Sequence, residues 1–264
     1  MKIHYIDPYL QQPAHPITIC LIGCGGTGTN LVTQLARIDY SLKELGHPGL
    51  HVTVFDGDII SESNIGRQLF SPAEIGLNKA ITLVTRMNRF FGTNWKAIPE
   101  DFSAKTNRKL QGHNIVITCV DSAKARIEIH EVLKNYTAKS QPSQPSQPYK
   151  IFYWLDTGNT KDGGQVVIGS LKQIAQPDQS QFDCVGKLPH LLDLYPDIEK
   201  YDTEALQGPT CSVAQALSKQ DLFINSMVAQ FSGTLLMRLL KDGFTIYNGA
   251  FISLVNLHTN PIKL

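Results

Sequence analysis

An apolar run that ends in a dense cluster of glycines leaves a chain few ways to fold. Here Ile17-Thr18-Ile19-Cys20-Leu21-Ile22 leads directly into Gly23-Cys24-Gly25-Gly26-Thr27-Gly28. The run is short and β-branched, which suits a strand buried on both faces. Glycines after such a strand let the backbone turn sharply and let its N–H groups approach a phosphate. Thr27 to Ile38 then has helical spacing at Leu31, Leu35 and Ile38, and His51-Val52-Thr53-Val54-Phe55 reads as the next strand. A glycine turn between strand and helix meets the context test for a nucleotide site; a plain structural turn is the alternative. Asp56, at the end of the second strand, suits a ribose hydroxyl. This unit alone does not separate a dinucleotide from a mononucleotide.

The residues beyond Asp56 bring a different chemistry. Asp58, Asn64, Arg67 and Gln68 follow in a polar stretch over residues 57–76, too long for an ordinary connection, and Lys79 comes just beyond it. Any one of them suits a solvated loop. As a set they suit a reaction that moves charge on a triphosphate, in which Lys and Arg neutralise phosphate oxygens. A dehydrogenase has no use for them.

The rest of the chain extends the alternation. Residues 39–50 read as a connection broken by Gly46, Pro48 and Gly49. Leu77 to Phe91 is predicted as a helix, Trp95 to Ile98 as a strand, and Ser103 to Leu110 as helical with Ser103 as its N-cap. Ile115 to Val120 is a strand ending at Asp121, and Ser122 to Tyr136 a helix. The Ser-Gln-Pro triplets of residues 140–148 read as a solvated, extended surface loop. Ile151 to Leu155 and Gln165 to Gly169 read as further strands. Residues 171–210 read as a long loop or lid. Ser212 to Leu240 carries a long amphipathic helical pattern, closed by Asp242-Gly243. Ile246 to Leu257 alternates as an antiparallel strand would, and residues 1–16 read as a short lead-in.

The fold class expected is therefore α/β: a Rossmann-like, doubly wound, mostly parallel sheet, extended by antiparallel strands in the C-terminal half. The chain divides into a nucleotide-binding core over 17–170, the crossover loop or lid over 171–210, and a C-terminal helix and strand over 211–264, all in a single domain. Its 264 residues suit one large α/β domain. With a net charge of +1 and no basic run, the chain has no bulk field for nucleic acid or an anionic membrane. No apolar run reaches the length of a bilayer span, and the N-terminus lacks a signal-peptide core. Five scattered cysteines fit a reducing cytoplasm. Cys20, Cys24 and Cys119 read as small core residues.

Gly-x-Gly-Gly-x-Gly, Asp-x-Asp, Ser-Asn-x-x-Arg-Gln and a later Lys together resemble the ThiF/MoeB/HesA family, relatives of ubiquitin-activating enzymes. The tail, with Pro209-Thr210-Cys211 and Gln220-Asp221-Leu222-Phe223-Ile224-Asn225, looks most like the ThiF-type members of PRTRC plasmid cassettes. The resemblance implies MgATP-dependent adenylation of the C-terminal carboxylate of a small ubiquitin-like protein, with ATP and Mg²⁺ as cofactors and a homodimer as the assembly. It assigns Gly23, Gly25, Gly26 and Gly28 to the nucleotide turn, Asp56 to the ribose, and Asn64, Arg67, Gln68 and Lys79 to the phosphates. Asp121 matches the magnesium-binding Asp. A carboxylate at that strand end faces the ligand crevice of such sheets, while a helix N-cap is the structural alternative. Arg126 also matches a family position, and an ordinary helix-surface Arg reads equally well. Cys211 precedes the long helix, where a thiol is a better nucleophile; acyl acceptor and small buried residue remain equal readings.

The chain departs from the family pattern in three ways. Asp121 is followed by Ser122 where relatives carry Asn. The paired Cys-x-x-Cys motifs of a structural zinc are missing. No arginine precedes Arg37 to reach a neighbour's phosphates. Two other function classes fit parts of the pattern. A nicotinamide-dependent oxidoreductase accounts for the turn and Asp56 only. A non-catalytic ATP-binding scaffold would keep the phosphate-side residues without turnover.

Overall fold

The computed structural model describes residues 1–103, 105–110, 112–139, 150–201 and 220–264. The Ser-Gln-Pro repeat and Cys211 lie outside the described residues.

The apolar runs alternate sides as a doubly covered sheet requires. In β2 (Ile17–Ile22), Ile17, Ile19 and Leu21 enter one core while Cys20 and Ile22 enter another. In β5 (Ile115–Thr118), Ile115 and Ile117 join the first core and Val116 the second. In β6 (Tyr153–Asn159), Tyr153 and Leu155 face one way and Trp154 the other. The first core is covered by α2 (Gly26–Glu44), α3 (Lys79–Phe91) and α6 (Ile224–Asp242). The second is covered by α4 (Ala123–Lys139) and a short α5 (Leu191–Leu194).

With β3 (Leu50–Phe55), β4 (Lys96–Ile98), β7 (Gly163–Ser170), β10 (Tyr247–Ser253) and β11 (His258–Lys263), the main sheet has eight strands in the order β11-β10-β7-β6-β5-β2-β3-β4. The five strands from β4 to β6 pair in parallel; β7, β10 and β11 add on antiparallel. This is the mixed, Rossmann-like sheet expected. The strand order reverses between β2 and β5, the position at which such sheets bind ligands beyond their strand ends.

Several boundaries differ from the sequence reading, each for a tertiary reason. Helix α2 runs on through residues 39–44 because Leu42 is buried and the Asp39 carboxylate accepts the Leu50 N–H at 2.7 Å, clamping helix to β3. The expected helix over 103–110 is reduced to a 3-10 turn at Asn107–Leu110. Thr106 instead closes a tight turn, its hydroxyl donating to the Ser103 carbonyl at 2.9 Å. The supposed lead-in holds β1 (Lys2–Tyr5) and α1 (Pro8–Gln11); β1 pairs with β8 (Asp183–Cys184) and β9 (Phe244–Thr245) in a second small sheet. The stretch read as a lid is, over its described part 171–201, packed: Ile174, Leu188, Leu191 and Ile198 are buried. A final strand, β11, follows where the chain was read as ending its single strand.

Candidate nucleotide-binding site

The glycine turn joins β2 to α2, and each of its glycines meets a different neighbour. Gly23 has φ +96°, and an added Cβ would lie 2.7 Å from the Cys119 carbonyl oxygen at the end of β5. A Cβ at Gly28 would lie 1.9 Å from the Gly23 carbonyl oxygen, so helix and turn can approach this closely only without one. Gly26 faces the Asn225 carboxamide, 2.5 Å from where its Cβ would be. At Gly25 a Cβ would meet nothing within 4 Å among the described residues beyond its chain neighbours. Gly25 is also the N-cap of α2, without a capping side chain or an acidic residue in the first turn. The first N–H groups of a helix have no intrahelical partners, and this helix start, open above Gly25, suits an anion.

Asp56 braces the turn. Its Oδ2 accepts the Cys24 N–H at 2.5 Å and its Oδ1 the Asp58 N–H at 2.9 Å. Burial pushes its carboxyl up, opposed by these N–H donors and by the Lys79 charge. Each carboxylate oxygen keeps a second acceptor site for a ligand hydroxyl. Lys79 is the first residue of α3, buried, with Nζ 2.6 Å from the exposed Asp58 carboxylate. Asn78 holds this corner together: it caps α3 and donates to the carbonyls of Asp56 and Asp58 at 2.9 and 3.1 Å. The sequence reading passed over Asn78, although Asn just ahead of a helical pattern is an N-cap signal.

Asn64 and Gln68 are buried and partly structural. Asn64 Oδ1 accepts the Ser61 N–H at 2.9 Å, and its carbonyl accepts the Gln68 N–H at 2.9 Å. Gln68 Oε1 is buried with no hydrogen-bond partner among the described residues. Arg67 is half-buried; burial pushes its guanidinium pKa down. Its NH1 donates to Gln220 Oε1 at 3.2 Å, while its Nε is buried without a partner among the described residues. Unpaired buried polar atoms are rare in folded proteins and each calls for an explanation. Asp121 is exposed just past β5; the helix cap beside it is Ser122, whose Oγ accepts the Ala125 N–H at 3.2 Å. The capping alternative for Asp121 is thereby taken by its neighbour.

Arg126 is not a helix-surface residue. It is buried, and its Nε donates to both carboxylate oxygens of Asp156 at 3.1 and 3.2 Å. Its NH2 donates to the carbonyls of Val120 and Thr157 at 2.7 and 2.8 Å. It therefore ties the end of β5, which carries Asp121, to β6. Burial pushes the Asp156 carboxyl up, against the pull of Arg126 and Thr118.

The sequence reading gave no site role to three carboxamides. Asn225 Nδ2 donates to Gln220 Oε1 at 2.9 Å, Gln220 Nε2 to Asn159 Oδ1 at 2.9 Å, and Asn159 Nδ2 to Asn225 Oδ1 at 2.7 Å. The three side chains close a ring. Thr27 joins it, donating to Asn225 Oδ1 at 3.0 Å and accepting from Asn159 Nδ2 at 3.1 Å. Asn159 ends a strand, Asn225 begins a helix and Thr27 follows the turn, so no spacing rule could pair them.

A glycine turn where the strand order reverses gives this chain the form of the doubly wound α/β proteins that bind nucleotides at that position. Its sequence is more specific than its fold. The chain belongs to the ThiF family, whose model matches residues 1–245. No curated protein matches the sequence. Among solved structures, one of PaaA superposes with a TM-score of 0.60 at 15% identity, covering 94% of this chain and 64% of that one. One of E. coli MccB with ATP gives 0.57 at 14% identity, covering 96% and 64%. One of E. coli MccB with AMPCPP and selenomethionine-labelled MccA gives 0.57 at 14% identity, covering 94% and 63%. At such identities the likeness is one of fold. The chain spans under two thirds of the length of these proteins.

Proposed function

We propose that this protein is an ATP-dependent adenylyltransferase that activates the C-terminal carboxylate of a small ubiquitin-like protein as an acyl-adenylate. The observation that carries the reading is the open, uncapped start of α2 at Gly25. The buried Arg67 Nε, without a partner among the described residues, supports it, since a phosphate oxygen would satisfy that donor. Membership of the ThiF family supports it further, as do neighbours of the same fold crystallised with ATP and with MccA.

In the reaction, a carboxylate oxygen of the substrate attacks the α-phosphorus of ATP. The new bond is carboxyl O–P; the bond that breaks releases pyrophosphate with its electron pair. Such chemistry is mainly positioning and charge stabilisation. The α2 N-terminus receives phosphate oxygens through its free N–H groups. Arg67 and Lys79 neutralise the charge that builds on the departing pyrophosphate. Lys79 is held for this by Asp58, an exposed partner that an incoming phosphate readily replaces. Asp56 accepts from the ribose while continuing to brace the turn. Asn64 and Gln68 shape the loop that carries Arg67.

Mg²⁺ fits the acidic group present. Asp121 offers an exposed carboxylate at the strand end, and Mg²⁺ takes one or two carboxylates together with phosphates and water. Bound there, the ion supplies neutralisation of phosphate charge. Cys211, whose thiolate would attack the acyl-adenylate carbonyl to form a thioester with release of AMP, extends the scheme by one step. Homodimeric assembly, a cytoplasmic location and kinship with the PRTRC-type members belong to the same reading, which takes 1–264 as one adenylation domain.

ATP–pyrophosphate exchange tests it. With a cognate ubiquitin-like partner, the wild type should exchange label into ATP and Asp121→Ala should lose most of that exchange. ATP binding without exchange for any such partner would leave a scaffold. Exchange at the wild-type rate by Asp121→Ala would remove Asp121 from the mechanism.

A further inference from the structure

The ring of three carboxamides has a direction, and Arg67 sets it. A guanidinium can only donate, so Gln220 must turn Oε1 towards Arg67 NH1. Gln220 Nε2 is then left to donate to Asn159, whose own Nδ2 must donate to Asn225 and Thr27. Asn225 in turn donates back to Gln220. Every amide orientation in the ring follows from the one charged group attached to it. At the opposite end, the Asn225 carboxamide lies against Gly26, where a Cβ would be 2.5 Å from its nitrogen. The ring thus spans from Arg67 to the glycine turn, and it explains why a second glycine follows Gly25.

A neutral acceptor is the apt partner for a cation that must later meet phosphate. A carboxylate in the place of Gln220 would neutralise Arg67 and repel the ligand. Gln220 holds one edge of the guanidinium without quenching its charge, and the Nε donor is left buried with no partner among the described residues. A buried donor in that state carries a free-energy penalty until an anion reaches it.

We propose that Asn159, Gln220 and Asn225 form a positioning ring that aims Arg67 at the phosphates of ATP, with Gln220 as the residue in contact with it. This rests on the ATP-binding reading above, and its test separates the two. ATP and adenosine affinities are measured by calorimetry for the wild type, Gln220→Ala, Arg67→Ala and the double variant, with thermal midpoints alongside. Wild-type binding of ATP decides the parent reading; its absence overturns both. Given wild-type binding, Gln220→Ala should weaken ATP about tenfold, the scale of a hydrogen bond to a charged group. Adenosine, which has no phosphate, should bind within about twofold of wild type. In the Arg67→Ala background, Gln220→Ala should cause no further loss, as coupled residues require. Unchanged ATP affinity, equal losses of ATP and adenosine, or additive losses in the double variant would each overturn the proposal. Should Gln220→Ala unfold, Asn159→Asp breaks the ring at a distance from Arg67, because a carboxylate cannot donate to Asn225 or Thr27. It should give the same selective loss of ATP affinity, and an Asn159→Asp protein with wild-type ATP affinity would overturn the ring.

Discussion

Gly25→Ala separates the turn's structural role from its ligand role. Gly25 has φ −74° and ψ −152°, extended backbone open to any residue. Beyond its own chain neighbours, an alanine methyl there would meet no atom of the described residues within 4 Å. The folded state therefore loses nothing, and the reduced freedom of the unfolded chain favours folding by about 0.4–1 kcal/mol. For a chain of this size that is a rise in Tm of about 1–4 °C. The ligand pays instead. The methyl projects over the helix start, where a phosphate would approach the backbone N–H groups. Losing two such charge-assisted bonds at about 1.5–3 kcal/mol each amounts to about 3–6 kcal/mol, at least a hundredfold in Kd by order of magnitude. Gly28→Ala is the contrast: its Cβ would lie 1.9 Å from a carbonyl oxygen, so that variant should fail to fold whatever it binds. Thermal denaturation and ATP calorimetry on purified Gly25→Ala read both quantities from one preparation. A variant that binds ATP as the wild type does would show that the phosphates lie elsewhere. A Tm lowered by 10 °C or more, as an order of magnitude, would show that the space above Gly25 is not open.

Arg126→Ala should leave Asp156 as a buried carboxylate held by Thr118 alone, and breaking a buried pair in this way costs about 3–5 kcal/mol. Burial already holds that carboxyl above its unfolded value, and losing the cation raises it further. The loss measured by urea denaturation should therefore be smallest near the ordinary carboxylate range and grow as pH rises through the raised value; a loss flat across pH would refute the account. His190 is the opposite case. Burial pushes its pKa down to about 4, with Asp193 opposing and His130 and Lys187 assisting. Its stabilising contribution is present above its unfolded value near 6.5 and is lost as pH falls towards 4, up to about 3 kcal/mol. His190→Asn keeps a cap acceptor for the Asp193 N–H, and its stability should vary less between pH 6.5 and 4 by about one proton's linkage.

The local readings that held all rest on short-range order. The run Ile17–Ile22 had to be a strand covered on both sides, since both of its alternating faces are apolar. Gly23 and Gly28 had to be glycines once strand and helix met there. The readings that shifted depend on contacts far along the chain. Nothing near residues 39–44 says that helix α2 continues; Leu50, eleven residues on from Asp39, decides it. Lys2–Tyr5 shows no period because its partners are residues 183–184 and 244–245. The spacing around Arg126 could not tell a buried arginine from one on the helix surface, because its acid lies thirty residues away on another strand.

Residue types and their spacing were enough to determine the glycine turn, the doubly wound sheet and the family, because hydrophobic period and glycine placement act within a few residues. Only the tertiary structure decided how the cations are held: Lys79 by an exposed acid, Arg67 by a neutral ring drawn from three separate segments. The reason is that hydrogen-bond direction and burial arise between segments that meet only when the sheet is complete, so they leave no local mark on the chain that encodes them.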